Sequence, residues 1–110
     1  ADYANIRDWI AESRIEIDQA RLLVLRAAWL MDREGNKAAR DLIAAAKIVV
    51  PAMAARVIDR AIQIHGGAGY TTLHAVERHW RDARLTKIFE GTSEIQKRII
   101  SDRLLGRGRN

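Results

Sequence analysis

The glutamate at position 90 is the side chain whose type and setting best suit acid–base chemistry. Glu90 follows Ile88 and Phe89 and precedes Gly91, where a helix is predicted to stop. A carboxylate at a helix C-terminus meets the negative end of the helix dipole, and apolar neighbours would remove water from it. Both effects disfavour the charged carboxylate, which suits a general base working near neutral pH. The alternative is a solvent-exposed loop glutamate without a chemical role.

Two segments could bind anions through their backbone. One loop contains Gly66, Gly67 and Gly69, whose amide groups could cradle phosphate oxygens. This loop follows a helix rather than a strand, so it is neither a dinucleotide-binding fingerprint nor a P-loop. Its alternative role is a helix cap and turn. Thr92 and Ser93 could hold an anion at the start of a helix, and the alternative for Ser93 is a plain N-cap.

Histidine and cysteine usage argues against metal and thiolate chemistry. His74 and His79 are five residues apart, which does not place them on one helix face, and neither has an evident partner ligand. Cysteine is absent, which excludes a disulfide framework and a cysteine-based zinc site. We therefore predict no metal site.

Composition and charge indicate one helical domain. The chain has 110 residues, of which 48 % are hydrophobic and 30 % are charged, and its formal net charge is +5. Acids and bases alternate except in a tail that contains Arg103, Arg107 and Arg109. Since this pattern is typical of solvated helix faces, we predict no nucleic-acid partner. No apolar run approaches the ~20 residues of a membrane span, so no membrane partner is predicted.

The first helix is predicted from two apolar stripes and should end at residues 34–36. The stripes indicate a helix that packs against more than one neighbour. The first stripe alternates spacings of four and three and includes one serine: Ile6, Ile10, Ser13, Ile17, Ala20, Val24, Ala27 and Met31. The second stripe recurs every seven residues: Ile15, Leu22 and Trp29.

Three further helices complete the predicted fold. The second covers about residues 38–65 and should kink at Pro51 without breaking, because its apolar stripe stays in phase. The third covers residues 75–88, and the fourth should begin at Ser93, which has the capping-box spacing with Gln96, and run to about residue 105. The predicted fold class is therefore all-α, a four-helix up-down bundle with two long and two shorter helices.

The motifs in their order resemble a known family. The chain reads QIHGGAGYT at 63–71, VER at 76–78, RDAR at 81–84 and IFEGTSEIQ at 88–96. These blocks are similar to the C-terminal signature of the acyl-CoA dehydrogenases. Upstream, ARLL at 20–23 and RAAW at 26–29 resemble the first long helix of that family's C-terminal bundle.

The resemblance implies a catalytic role for the glutamate. In that family, a carboxylate matching Glu90 removes the α-proton of an acyl-CoA thioester, while the β-hydrogen leaves as hydride to the N5 atom of FAD. The product is a trans-2-enoyl-CoA. The backbone N–H of the same glutamate helps to hold the thioester carbonyl, as an oxyanion hole would. Gly91 would border the substrate, and Phe89 would line the acyl pocket.

The resemblance also implies a cofactor and partners. FAD would be contacted at two places. Electron-transfer flavoprotein would be the electron acceptor. The chain would form a homo-oligomer, a dimer or a tetramer, through the bundle. A neighbouring subunit would supply the first set of contacts: Gln63, Ile64, His65, Gly66 and Gly67. The subunit's own contacts would be Thr92, Ser93 and Glu94.

Two departures from the family pattern set further expectations. Ala75 stands where family members commonly carry a proline. The N-terminal helical domain and middle β-domain of the family have no counterpart, so we expect a fragment or separate domain of a longer enzyme. Alone it should fold without holding FAD tightly or turning over. The expected location is the cytoplasm of a bacterium or, in a eukaryote, the mitochondrial matrix. The leading alternative is an oligomerisation module without a site of its own.

Overall fold

The computed structural model describes residues 3–107, which form four α-helices and one short 3-10 helix. The helices are α1 (Ala4–Glu34), α2 (Asn36–His65), α3 (Val76–Leu85) and α4 (Ser93–Leu104), and the 3-10 helix is Gly66–Tyr70. The prediction of an all-α fold with two long and two shorter helices is confirmed, and residues 3–107 contain no strand. Arg109, part of the basic tail in the sequence, lies outside the described residues.

A single glycine reverses the chain between the two long helices. Gly35 has a φ of 87°, and its N–H donates to the Met31 carbonyl at 2.9 Å. A side chain would be strained at this φ, so a glycine ends α1 as predicted. Asn36, predicted to help end the first helix, is instead the first residue of α2. The reversal places α1 and α2 side by side and antiparallel.

The buried apolar residues of this hairpin are small. Besides Pro51, the buried apolar residues of the described helices are four alanines: Ala20, Ala27, Ala39 and Ala44. Ala20 and Ala27 belong to the predicted first stripe of α1, and Ala39 belongs to the apolar face of α2. Alanines let two helix backbones approach closely, but each removes little apolar surface from water.

An ion-pair cluster joins the middle of α1 to α2. The Arg60 guanidinium donates to both carboxylate oxygens of Glu16, at 2.8 and 3.1 Å, and Arg56 lies 3.2 Å from the same carboxylate. The hydrogen bond from Arg60 is the main cause that holds the pKa of Glu16 below its usual value of 4.5. Arg60 also donates to the Ser13 hydroxyl at 3.3 Å, which explains the one polar residue in the first stripe.

The helices α3 and α4 follow one another along α2, both antiparallel to it. Ala83 of α3 shares a groove with Val57 of α2. Farther along, Ile99 of α4 lies near Ala44, and Arg103 pairs with Asp41 at 3.1 Å. Within residues 3–107, α2 is the only helix in contact with α1, α3 and α4 alike. The segment between α3 and α4 therefore lies against the middle of α2.

One predicted helix end and one predicted N-cap are wrong, whereas α4 begins at Ser93 as predicted. α3 ends at Leu85 rather than at residue 88, because the Thr86 N–H and hydroxyl both bond to the Ala83 carbonyl and tighten the chain into turns. The N-cap of α4 is Thr92 rather than Ser93, since the Thr92 hydroxyl accepts from the Ile95 N–H at 3.3 Å. The capping box predicted for Ser93 does not form.

Much of the apolar surface of α1 is exposed. The second stripe stays exposed in the described part of the chain, with exposures of 58 % for Ile15, 66 % for Leu22 and 49 % for Trp29. Within the described chain, α1 packs only against α2, so the two neighbours expected for its two faces are not both present. The described residues are also elongated, measuring 53 × 24 × 24 Å.

Helix α2 is continuous through Pro51, which is buried, so the prediction that the proline would not break the helix is confirmed. Among residues 3–107, no helix combines the length and apolar character needed to cross a membrane.

Candidate functional site

Glu90 and Gly91 form a sharp turn between α3 and α4. Glu90 has a φ of 53°, the only positive φ of a non-glycine residue in the described chain, and Gly91 follows with a φ of 94°. Side chains rarely adopt this conformation, so at Glu90 the surrounding structure must hold it. At Gly91, a Cβ atom would come within 2.5 Å of the Gln96 side-chain nitrogen.

The position of Glu90 differs from the one predicted. Because α3 ends at Leu85, Glu90 lies in a bend beyond the helix and not at its C-terminus, so the proposed effect of the α3 dipole on the carboxylate is wrong. Glu90, Phe89 and Ile88 are all exposed in this chain. The predicted desolvation is therefore not provided by the residues described here.

Lys47, a residue of α2, holds this loop. Its ammonium group donates to the Thr86 carbonyl and, at 3.0 Å, to the Phe89 carbonyl. The same nitrogen lies 5.1 Å from the centre of the Phe89 ring, within cation–π range. The loop is tied at its other side by the Ser93 N–H, which donates to the Lys87 carbonyl at 3.2 Å. These contacts fix the backbone on both sides of Glu90.

Both polar groups of Glu90 remain available. Its carboxylate makes no ion pair or hydrogen bond with another side chain between residues 3 and 107, and its N–H has no acceptor there. A free carboxylate can accept a proton, and a free amide can donate to a carbonyl oxygen. The turn thus presents a base and a donor from one residue.

The start of α4 retains part of the predicted anion site. The Ser93 N–H donates to the Lys87 carbonyl, so the prediction of a free donor at this position is wrong. The Ser93 hydroxyl is unpaired within the described residues. The amides of Thr92 and Glu94 have no acceptor in that part of the chain. Free amides at a helix N-terminus suit a phosphate or another anion.

The glycine loop caps α2 and turns into the 3-10 helix. Gly66 has a φ of 65°, and Gly69 is buried so tightly that a Cβ would lie 2.6 Å from the Ile62 carbonyl oxygen. Both glycines are therefore needed for the backbone path. Gln63, Ile64, His65 and Gly67 are exposed. The His65 Nδ1 donates to the Ala61 carbonyl at 2.7 Å, which leaves Nε2 for another partner.

The two predicted cofactor segments do not meet within one chain. The Glu90 turn lies beside Lys47, whereas Gln63 is near the far end of α2. At 1.5 Å per residue, these two points on α2 are about 24 Å apart. The 3-10 helix contacts α2 and α3 but not α4 among residues 3–107.

One histidine pair was not predicted from the sequence. The rings of His65 and His74 lie 5.0 Å apart, because the glycine loop folds back near the end of α2. No group of three or more histidine, aspartate or glutamate side chains suited to a metal ion occurs in the described part of the chain.

Lys47 contacts the candidate site but is not predicted from the sequence. It is a single charge within an apolar run, between Ala46 and Ile48. A charge in such a run is a signal that a polar partner from another element should be sought. Its actual partners are backbone carbonyls, which the sequence pattern does not reveal.

Comparison with known proteins defines the family to which this chain belongs. Residues 1–105 match the family described as acyl-CoA dehydrogenase, C-terminal domain, so the chain belongs to the acyl-CoA dehydrogenase family. It is 46 % identical over 107 residues to FadE2 of Mycobacterium tuberculosis, named a probable acyl-CoA dehydrogenase, covering 97 % of this chain and 26 % of that protein.

Solved structures agree with this assignment. The chain superposes on butyryl-CoA dehydrogenase from Megasphaera elsdenii with a TM-score of 0.86 and 39 % identity, covering 94 % of this chain and 27 % of that one. It also superposes on an FAD complex of PigA with a TM-score of 0.85 and 31 % identity, covering 96 % and 27 % of the two chains. The chain thus spans about a quarter of the length of these relatives.

Proposed function

We propose that Glu90 is the base of an acyl-CoA dehydrogenase and removes the α-proton of an acyl-CoA thioester. One observation carries the proposal: the carboxylate is unpaired on a turn that Lys47 and Ser93 hold in an uncommon backbone conformation. A structural glutamate would gain nothing from such a turn, whereas a base gains a fixed direction.

The chemistry of the turn follows from its two polar groups. The α C–H bond breaks, its proton goes to a Glu90 carboxylate oxygen, and the β-hydrogen leaves as hydride. Negative charge develops on the thioester oxygen, where the Glu90 N–H stabilises it. Phe89 and Gly91, on either side of the base, would border the acyl chain and the substrate. FAD, when bound, supplies the hydride acceptor, and electron-transfer flavoprotein is the proposed acceptor of its electrons.

The residues present fit FAD in two separate places. Thr92, Ser93 and Glu94 offer two free amides and a hydroxyl at the start of α4, which suits the flavin of the same subunit. The 63–67 segment, with its exposed glycine loop, suits the phosphate-bearing part of another FAD. The separation of about 24 Å along α2 favours this division between two subunits.

A homo-oligomer is the assembly that this division requires. The exposed second stripe of α1 offers an apolar surface on which another subunit could pack. The alternative function, an interaction module without a site, shares this surface but leaves the strained Glu90 turn unexplained. The Glu90 turn therefore distinguishes the two proposed functions, whereas the second stripe of α1 is compatible with both.

The direct test is the substitution Glu90→Gln in the full-length enzyme that carries this segment. Turnover of the acyl-CoA that the enzyme oxidises fastest should fall by about 10²–10⁴-fold, with FAD content and oligomeric state unchanged. Glu34→Gln, at the exposed end of α1, is the matched control and should leave turnover unchanged. If Glu90→Gln retained full turnover, the catalytic proposal would be wrong and the interaction module would be favoured.

A further inference from the structure

Lys47 bonds to two carbonyls in the turn that follows α3. Backbone carbonyls outside a helix ladder need another donor, which the Lys47 ammonium group supplies here. Neither Thr86 nor Phe89 has its carbonyl bonded to a backbone N–H in the described chain, and the Lys47 ammonium donates to both. Lys47 makes no ion pair with a carboxylate between residues 3 and 107, so these carbonyls are its polar partners there.

The Phe89 carbonyl belongs to the same peptide plane as the Glu90 N–H. Every peptide bond of the described chain is trans, so the carbonyl and the N–H of this plane point in opposite directions. Lys47 binds the carbonyl at 3.0 Å from one side. The N–H is therefore aimed away from α2, and it has no acceptor among the described residues.

A cation on the carbonyl also changes the amide electronically. A hydrogen bond to a peptide oxygen draws electron density from the nitrogen, which makes the N–H a stronger donor. Charge-assisted bonds of this kind are stronger than neutral ones. Lys47 can thus both orient the Glu90 N–H and strengthen it.

We infer that Lys47 is a positioning residue that aims and polarises the Glu90 N–H at the thioester carbonyl of the substrate. The inference rests on the proposed function, in which that N–H stabilises the developing oxyanion. Lys47 touches neither substrate nor cofactor in this assignment. It acts through the peptide plane between Phe89 and Glu90, and its contact with the Phe89 ring keeps that plane against α2.

Infrared spectroscopy of the bound thioester separates this role from general stability. The full-length enzyme with Glu90→Gln would hold its acyl-CoA unreacted, with ¹³C at the thioester carbonyl, and the glutamine retains the backbone N–H. The carbonyl stretch should fall in frequency on binding. Adding Lys47→Met should remove at least about half of that shift, because the donor loses its direction and its polarisation.

Turnover gives a second reading in the enzyme that keeps Glu90. Lys47→Met should lower kcat by about tenfold or more and change KM much less, which is the pattern of an interaction made in the transition state. Lys37→Met, an exposed lysine on the same helix, is the matched control and should retain both the kcat and the carbonyl shift.

The outcomes for Lys47 and Glu90 are distinguishable. An unchanged carbonyl shift in the FAD-loaded Glu90→Gln/Lys47→Met double variant overturns the inference, even where Glu90→Gln abolishes turnover. Full turnover by Glu90→Gln overturns the proposed function instead. If Lys47→Met does not load FAD, Lys47→Gln is measured in its place. Its shorter, neutral side chain should also lose much of the shift, and full retention by it would equally refute the inference.

Discussion

At the scale of single residues, the Glu90–Gly91 turn has an unfavourable backbone conformation at the residue proposed as the base. Consecutive φ values of 53° and 94° are unusual, and a non-glycine residue pays about 1 kcal/mol or more for the first. Lys47 and the Ser93 amide offset that cost by fixing the flanking carbonyls. The residue order places the proposed base at the first position of the turn and the glycine at the second.

The substitution Gly91→Ala tests whether the turn is functional. Gly91 and Gly35 have similar positive φ values of 94° and 87°, so alanine should strain both by about 1 kcal/mol. Only Gly91→Ala displaces Glu90, and it should therefore lower kcat of the full-length enzyme at least about tenfold. Thermal unfolding and kcat are measured together. Equal kcat values for the Gly35→Ala and Gly91→Ala enzymes would show that the turn serves stability alone.

At the scale of helices, α2 organises the described chain. It pairs with α1 through small residues and the Arg60–Glu16 cluster, and it supports α3, the Glu90 turn and α4 in succession. Lys47 lies where the Glu90 turn meets α2. The turn therefore takes its position from α2, the helix that contacts the three others in the described chain. Substitutions in α2 should therefore alter the conformation of the Glu90 turn more than substitutions in α1.

The Glu16–Arg60 pair predicts a pH dependence of the hairpin's stability. Because the pKa of Glu16 is lowered in the folded chain, its contribution is present above its unfolded value of 4.5 and is lost as pH falls through the lower folded value. Glu16→Gln should reduce the free energy of unfolding by about 1 kcal/mol at pH 7. Urea unfolding of the 110-residue chain, followed by circular dichroism, gives this difference. A difference that stays constant from pH 7 down to pH 3 would contradict the assignment.

The sequence predicts these helices well because their signals are local. The four-three stripes give α1 and α2, and Gly35 marks the junction between them. The end of α3 is harder to predict, because the local bonds from Thr86 to the Ala83 carbonyl are joined by one from Lys47, distant in sequence, to the Thr86 carbonyl. The N-cap is not decided by residue type, because Thr92 and Ser93 are both good caps; in the structure the Ile95 N–H bonds to the Thr92 hydroxyl.

The catalytic role of Glu90 stays a prediction, and the sequence does not predict the geometry of its turn. The family motifs point to Glu90, but the residue lies beyond the end of α3 and is exposed, so neither a helix terminus nor burial by apolar neighbours sets its environment in this chain. A positive φ at a glutamate has no local sequence signature, because non-glycine residues adopt it only under tertiary constraint. The free N–H at Glu90 follows from that same constraint.

At the scale of the whole molecule, the described chain exposes more large apolar side chains than its own helices cover. Its buried apolar residues are four alanines and one proline, while large side chains on α1 face outward. Burial of a leucine or tryptophan contributes roughly 2 kcal/mol, so these faces have much to gain from contact with other protein surface. The chain spans about a quarter of its relatives' length, and both other subunits and other domains could supply that surface.

The substitution Leu22→Glu tests whether the second stripe joins subunits. A carboxylate on this apolar face should weaken assembly of the full-length enzyme, because its charge would be buried on association. Multi-angle light scattering across a dilution series should show smaller species than for the unchanged enzyme. Gln19→Glu, an exposed position outside the stripe, controls for added charge. An oligomer of unchanged size and dilution behaviour would exclude the stripe from the subunit interface.

The isolated 110-residue chain should bind FAD weakly. Its two candidate FAD segments lie about 24 Å apart along α2, so one chain supplies only part of each site. Titration with FAD, followed by quenching of flavin fluorescence, should show no saturation at micromolar concentrations. Tight, saturable binding by the isolated chain would mean that these helices alone form a complete site.

Single-turnover reduction of FAD tests the central claim most directly. The full-length enzyme and its Glu90→Gln variant, loaded with equal amounts of FAD, are mixed rapidly with the acyl-CoA, and the loss of oxidised-flavin absorbance is followed. The claim that Glu90 takes the α-proton predicts that reduction in the variant is slower by about 10²–10⁴-fold. Reduction at nearly the same rate in both proteins would contradict it.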